Sequence, residues 1–203
     1  MTIRAVIFDW GGVLIDNPVE EMILYSARAL TVDPDVLRPS FLMHKGLLQD
    51  GRISEKMFWH RVCGDLKAVK PPGSSLLDEA FRAVYRERED VFALAAGLHA
   101  RGYRTAVCSN TEAPSVTFFH EKNYPMFDAA VFSCREGVSK PDPKIYGTVL
   151  DRLGVRPGTA LFIDDSPENI EGAEKAGMVG LLFQDLSQLR RDCRALALNM
   201  DAP

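Results

Sequence analysis

Long apolar runs are missing from this chain. None approaches the roughly 18 residues that a membrane-spanning helix needs, so no membrane partner is expected. Cysteine is scarce: Cys63, Cys108, Cys134 and Cys193 show no Cys-x-x-Cys spacing. That argues against a zinc site or a disulfide framework, and for reduced thiols in a cytoplasmic protein. Positive charge is in deficit. The 24 basic and 28 acidic residues leave a net charge of −4, the wrong sign for a general nucleic-acid binder. Met1 leads directly into a strand-like segment, without the charged, apolar and cleavage regions of a secretory signal. There is no internal repeat, no low-complexity segment and no Gly-x-x-x-x-Gly-Lys loop for a nucleoside triphosphate. What is present is an ordinary globular composition, 46% apolar and 26% charged over 203 residues, sufficient for one substantial core with a smaller insertion.

Short apolar runs at 4–9, 103–110, 129–133, 159–165 and 179–183 read as strands buried on both faces. Helix signals separate them. Asp90 is placed to cap a helix ending near Gly102, Asp142 and Pro143 open another that Gly154 closes, and Ser166 and Pro167 start a third that ends at Gly177. This alternation predicts an α/β, doubly wound parallel sheet. Residues 17–89 break the pattern, with helix signals and no convincing strand. Asn17, Pro18 and Glu20 resemble a capping box, and further helices are expected over about 35–49, 54–62 and 76–88, with "KPPGSS" (70–75) as a loop. The expected division is a core of 1–16 and 90–203 and a helical insertion of 17–89. Beyond Gln184, the spacing of Leu186, Leu189, Cys193 and Leu196 predicts a last amphipathic helix that packs on the sheet or on a second subunit.

Ligands of open α/β sheets bind beyond the carboxyl ends of the strands. The first strand delivers Asp9 there, the second Ser109 and Asn110, and the fourth Asp164 and Asp165; Lys140 follows the third. Alone, each has a commonplace explanation as a cap, a turn residue or a surface charge. The adjacent acids Asp164 and Asp165 repel one another unless a cation lies nearby or one is protonated. Together the acids suit magnesium, and the lysine and serine hydroxyl suit phosphoryl oxygens. An aspartate beside a metal is a competent nucleophile toward phosphorus.

The motifs "FDWGGVL", "CSNT", "SKPDP" and "LFIDDSPENIEGAEKAGM", in that order, resemble the four motifs of the haloacid dehalogenase superfamily of hydrolases. The likeness spans 1–16 and about 90–185, and within the superfamily it is closest to sugar phosphatases. It implies a Rossmann-like core with an inserted all-helical C1-type cap. It also implies a magnesium-dependent phosphatase in which Asp9 carries the phosphoryl group. Asp9, the Gly11 carbonyl and Asp165 would surround Mg2+, with Asp164 acting directly or through water. Ser109 and the Asn110 backbone N–H would hold phosphoryl oxygens, and Lys140 would offset negative charge.

Gly11 departs from that pattern, because most phosphatases of the superfamily have there a second aspartate serving as general acid and base. General acid–base help is typically worth about 10²–10⁴-fold, most of all for poor leaving groups. Asp16 could substitute if the chain folded back, or could simply be solvated at the cap hinge. Two other readings remain open at this level: a 2-haloacid dehalogenase, and a non-catalytic phosphate-binding or regulatory protein of the same fold. The expected partner is a small phosphorylated metabolite, and the chain is expected to act as monomer or homodimer. For substrate contact the cap offers Phe41, His44, Lys45, Phe58, Trp59 and His60, with His44 and Lys45 preferred because a polar sugar needs donors.

Overall fold

The five apolar runs are strands of one parallel sheet. In the computed structural model, which describes residues 2–70, 73 and 75–198, β1 (Ala5–Phe8), β2 (Arg104–Ser109), β3 (Ala129–Phe132), β4 (Ala160–Asp164) and β5 (Val179–Leu182) lie in the order β3-β2-β1-β4-β5. Ala5 pairs with Arg104 on one side and Ala160 on the other. Helices α1 (Val19–Leu30), α2 (Pro34–Gln49), α3 (Glu55–Leu66) and α4 (Leu76–Val84) form the cap. The core adds α5 (Glu89–Ala100), α6 (Ala113–Lys122), α7 (Ser133–Glu136), α8 (Pro143–Leu153), α9 (Pro167–Lys175) and α10 (Leu186–Ala195).

Continuous hydrophobicity follows from burial on both faces. Successive strand side chains point to opposite faces. Val6, Phe8, Leu161 and Ile163 therefore join the core beneath α5, α6 and α10, whereas Ala5, Ile7, Ala160 and Phe162 join the core beneath α8 and α9. Each fully buried Phe, Leu or Ile contributes about 1.5–3 kcal/mol of transfer free energy. The C-terminal helix packs on the sheet through Leu189 and Cys193, and all four cysteines are free thiols. No helix among the described residues is long and apolar enough to cross a membrane.

Several local expectations shift. The Asn17–Glu20 capping box does not close: α1 begins at Val19, whose N–H reaches Asn17 Oδ1 at 3.2 Å, while Glu20 turns to an ion pair with Arg38. Asp90 lies inside α5 instead of capping it; its Oδ1 accepts from Val91 N–H at 2.8 Å. The helix expected to reach Arg88 stops at Val84, because the next residues are claimed by the strand-like crossing of the chain. There Asp16 N–H donates to Arg86 O at 3.1 Å and Arg88 N–H to Leu14 O at 2.9 Å, so the chain leaves and re-enters the core side by side. Of the "KPPGSS" loop, Pro71, Pro72 and Ser74 lie outside the described residues.

The C-terminal end of α2 is seated on the core. Asp50 accepts from Ser139 Oγ, and Gly51 (φ 67°) lies so close to Cys134 that a Cβ would collide with its carbonyl oxygen. Gly46, one turn earlier, has helical backbone and open space around it. Gly51→Ala is therefore expected to lower stability by about 1–3 kcal/mol. Gly46→Ala should raise it by about 0.5–1 kcal/mol. Urea denaturation of both variants checks this; equal effects would mean that the end of α2 is not held against Cys134.

Candidate active site

Because β1 is flanked by β2 on one side and β4 on the other, the order of connection reverses at the middle of the sheet. A crevice opens beyond the strand ends at such a switch point. Asp9 enters it directly after β1. Its backbone N–H donates to Ile163 O at 2.8 Å, and its Oδ1 accepts from Trp10 N–H at 2.7 Å. Lys140 Nζ lies 2.8 Å from Asp9 Oδ1 and 2.6 Å from Asp164 Oδ2, with its side chain only 1% exposed.

The lysine is held at both ends. The Asn110 side chain accepts from Lys140 N–H at 2.8 Å and donates to Lys140 O at 2.9 Å. Asp164 is fully buried and is occupied by Lys140, by Ser166 N–H at 2.8 Å, and by Asn169 Nδ2 at 3.0 and 3.1 Å. Asp165, the next residue, points the other way and is exposed. It lies against Gly12, whose φ of 94° and close approach leave no room for a Cβ beside the Asp165 carboxylate. Oxygen atoms of Asp9, Asp164 and Asp165 lie within 4.8 Å of one another, a set of hard oxygen donors.

Burial raises the Asp9 carboxyl from 3.8 to about 6; Lys140 opposes the shift and Asp164 adds to it. Burial pulls the Lys140 ammonium down, but Asp9 and Asp164 overcome that and hold it above the ordinary lysine range. Burial and Asp164 raise Asp165. On the cap side, burial lowers Lys45, while Glu112 and Asp9 pull the other way.

A cavity of about 270 Å³ lies between this sheet edge and the cap. It brings together Asp9, Gly11, Ser109, Asn110, Lys140 and Asp165 with Lys45 and Phe41 of α2. Asp164 stands behind the wall. His44 is turned away, with Nε2 3.0 Å from Asp65 Oδ2, so in place of the expected substrate contact it makes a hydrogen bond within the cap. Phe58 and Trp59 meet edge to face in the cap core, with ring centres 5.0 Å apart, and His60 lines a separate depression. Asp16 is tied to Arg88 at 3.0 Å at the crossing of the two cap connections and does not line the cavity. Trp10, Gln49, Glu112 and Asn169 also line the cavity, and the motif reading does not single them out. Only Asn169 carries a local signal, as an amide early in the helix that follows the paired acids. Gln49 and Glu112 come from distant segments and meet only in three dimensions.

A profile of haloacid dehalogenase-like hydrolases matches residues 3–177, and the chain belongs to this family. It is 28% identical over 186 residues to mouse acyl-CoA dehydrogenase family member 10, covering 86% of this chain but 17% of that protein. It likewise spans 38% of the rat bifunctional epoxide hydrolase 2, at 27% identity. Sesquiterpene phosphatase astK of Aspergillus oryzae is 28% identical, with 91% of each chain covered. Among solved structures, a haloacid dehalogenase family enzyme of Bacteroides thetaiotaomicron in complex with magnesium and inorganic phosphate superposes with a TM-score of 0.74 at 22% identity. The match covers 92% of this chain and 98% of that one.

A carboxyl whose folded pKa exceeds its unfolded value withdraws stability as pH rises between the two. For Asp9 that window runs from 3.8 to about 6. In EDTA, Asp9→Asn should therefore gain melting temperature relative to the parent as pH rises from about 4 to 7, because the variant has no charge to form at that position. Melting curves across this range check it, and a pH-independent difference would mean that the buried carboxyl is already ionised at the acid end.

Proposed function

We propose that this hydrolase is a magnesium-dependent phosphatase that acts on a small phosphomonoester through an aspartyl-phosphate on Asp9. The observation that carries this reading is the Lys140 ammonium locked between Asp9 and Asp164, next to the exposed Asp165 and the end of β2. The named activity of the Aspergillus relative and the magnesium and phosphate bound by the Bacteroides enzyme support it.

Asp9 Oδ would attack phosphorus, forming the aspartyl P–O bond as the ester P–O bond breaks, and the departing alkoxide takes its proton from water. Water then attacks the phosphorus of the acyl phosphate, which releases inorganic phosphate and restores the carboxylate. Ser109 Oγ and the Asn110 N–H hold phosphoryl oxygens. Lys140 steadies the charge that accumulates between nucleophile and phosphate. Asp9, Asp165 and the Gly11 carbonyl would hold Mg2+, with Asp164, already committed to Lys140 and Asn169, behind them. The oxygen-only donor set fits this hard cation, which when bound supplies positive charge to the phosphoryl oxygens. Lys45 adds a cation from the cap. A 2-haloacid dehalogenase would need no metal and would make no use of the clustered Asp9, Asp164 and Asp165 oxygens, and a binding protein would have no use for a lysine poised on a nucleophile.

The motif likeness to sugar phosphatases alone would make the ester a sugar phosphate; the wall of the cavity favours another organic group. Asp9→Asn is expected to reduce phosphate release from acetyl phosphate to background, and EDTA to do the same for the parent. Rates within tenfold of the parent in the variant would remove Asp9 as nucleophile, about 1.4 kcal/mol being too little for loss of the attacking group. Full phosphate release in EDTA would overturn the magnesium requirement.

Gly11 generates a further expectation. Its φ lies outside the left-handed region, and a Cβ there would meet only Pro18 Cδ, at 3.4 Å. An aspartate can therefore be accommodated, unlike at Gly12. Without an acid at this position the leaving oxygen carries its charge through the transition state, so rates should fall steeply with leaving-group pKa. Gly11→Asp should flatten that dependence by helping the poorest leaving groups most. A series of substituted phenyl phosphates measured for both proteins checks this; a flat plot for the parent would mean that another group donates the proton.

A further inference from the structure

We propose that the ester taken by this site carries an apolar organic group, alkyl or aryl, in place of a polyhydroxylated sugar. The inference rests on the phosphatase reading above and narrows its substrate class. It comes from the chemistry of the cavity wall beyond the phosphoryl end.

That wall is supplied by Met22 of α1, Phe41 and Leu48 of α2, and Leu77 and Phe81 of α4, with Trp10 beside the nucleophile. All are at most 5% exposed. They form a coherent packed surface: Trp10 lies 5.2 Å from Phe81, ring centre to ring centre. An apolar group gains by leaving water against such a surface.

Several polar groups of the cavity are already engaged within the protein. Gln49 Nε2 donates to Asn110 O at 3.0 Å, and Glu112 Oε1 accepts from Ser115 Oγ at 2.6 Å. The Asn110 side chain is spent on the Lys140 backbone, and Asn169 on Asp164. Lys45 makes no ion pair among the described residues, but the charges that act on it are Glu112 and Asp9. It therefore lies toward the phosphoryl end, where the phosphate accounts for its charge. A sugar lying over Asp9 would turn several hydroxyls toward Met22, Phe41, Leu48, Leu77 and Phe81. Each would give up its hydrogen bonds to water without replacement.

Cyclohexylmethyl phosphate and glucose 6-phosphate test this. Both carry a six-membered ring on a primary alkoxide, so the missing acid at Gly11 weighs equally on both. Acetyl phosphate, too small to reach the wall, reports phosphatase activity independently. With Mg2+ present, kcat/KM for cyclohexylmethyl phosphate should exceed that for glucose 6-phosphate by at least about 10²-fold, the scale on which a pocket discriminates by one or two groups. If either ester turns over too slowly, their inhibition constants against acetyl phosphate should show the same order. Equal values, or a preference for the sugar, with acetyl phosphate hydrolysed, would overturn the apolar substrate and leave the phosphatase standing. No hydrolysis of acetyl phosphate would overturn the phosphatase reading itself.

Discussion

A fully buried ammonium between two buried carboxylates organises this molecule. Lys140 sits 2.8 Å from Asp9 and 2.6 Å from Asp164 with almost no access to water. Taking such charges out of water costs several kcal/mol per ion, and mutual attraction offsets the cost only when geometry is tight and the remaining hydrogen-bonding capacity is used. The surrounding residues meet that condition. Asn110 clips the Lys140 backbone from two sides, Ser166 and Asn169 saturate Asp164, and Ile163 and Trp10 fix Asp9. The carboxylate left out of this arrangement is Asp165, which is free to face the cavity.

The parallel register makes that cluster possible. Because β1 pairs in step with both β2 and β4, the residues just beyond Phe8, Val107 and Ile163 arrive at the same level. β4 ends at the buried Asp164, and Asp165, just beyond the strand, is exposed. Gly12, at φ 94°, lets the loop after β1 pass directly against Asp165.

The cap walls the cavity without disturbing the cluster. Its two connections run side by side, Leu14–Asp16 against Arg86–Arg88, and the Asp16–Arg88 ion pair marks the crossing. From that crossing α2 brings Phe41, Lys45 and Leu48 to the cavity that Asp9 lines, and Gln49 reaches across to Asn110. The charged groups of the cavity come mainly from one edge of the sheet, while most of its apolar wall comes from the inserted helices. Trp10 belongs to both, following Asp9 in sequence and packing on Phe81 of the cap and Phe119 of the core.

By itself the sequence determined the five strands, the helical insertion between the first two, and the grouping of Asp9, Ser109, Asn110, Lys140, Asp164 and Asp165 at one edge. Those properties follow from local patterns: doubly buried strands are continuously apolar, and residues at strand ends must emerge at the sheet's edge. The tertiary structure alone decided which way each side chain points. His44 and Lys45 are neighbours on α2, about 100° apart around the helix, and only packing chose Lys45 for the cavity and His44 for Asp65. Packing likewise ended α4 at Val84, gave Asp16 to Arg88, and spent the Gln49 amide on Asn110. Each of these outcomes depends on a residue distant in the chain, whose approach no local periodicity encodes.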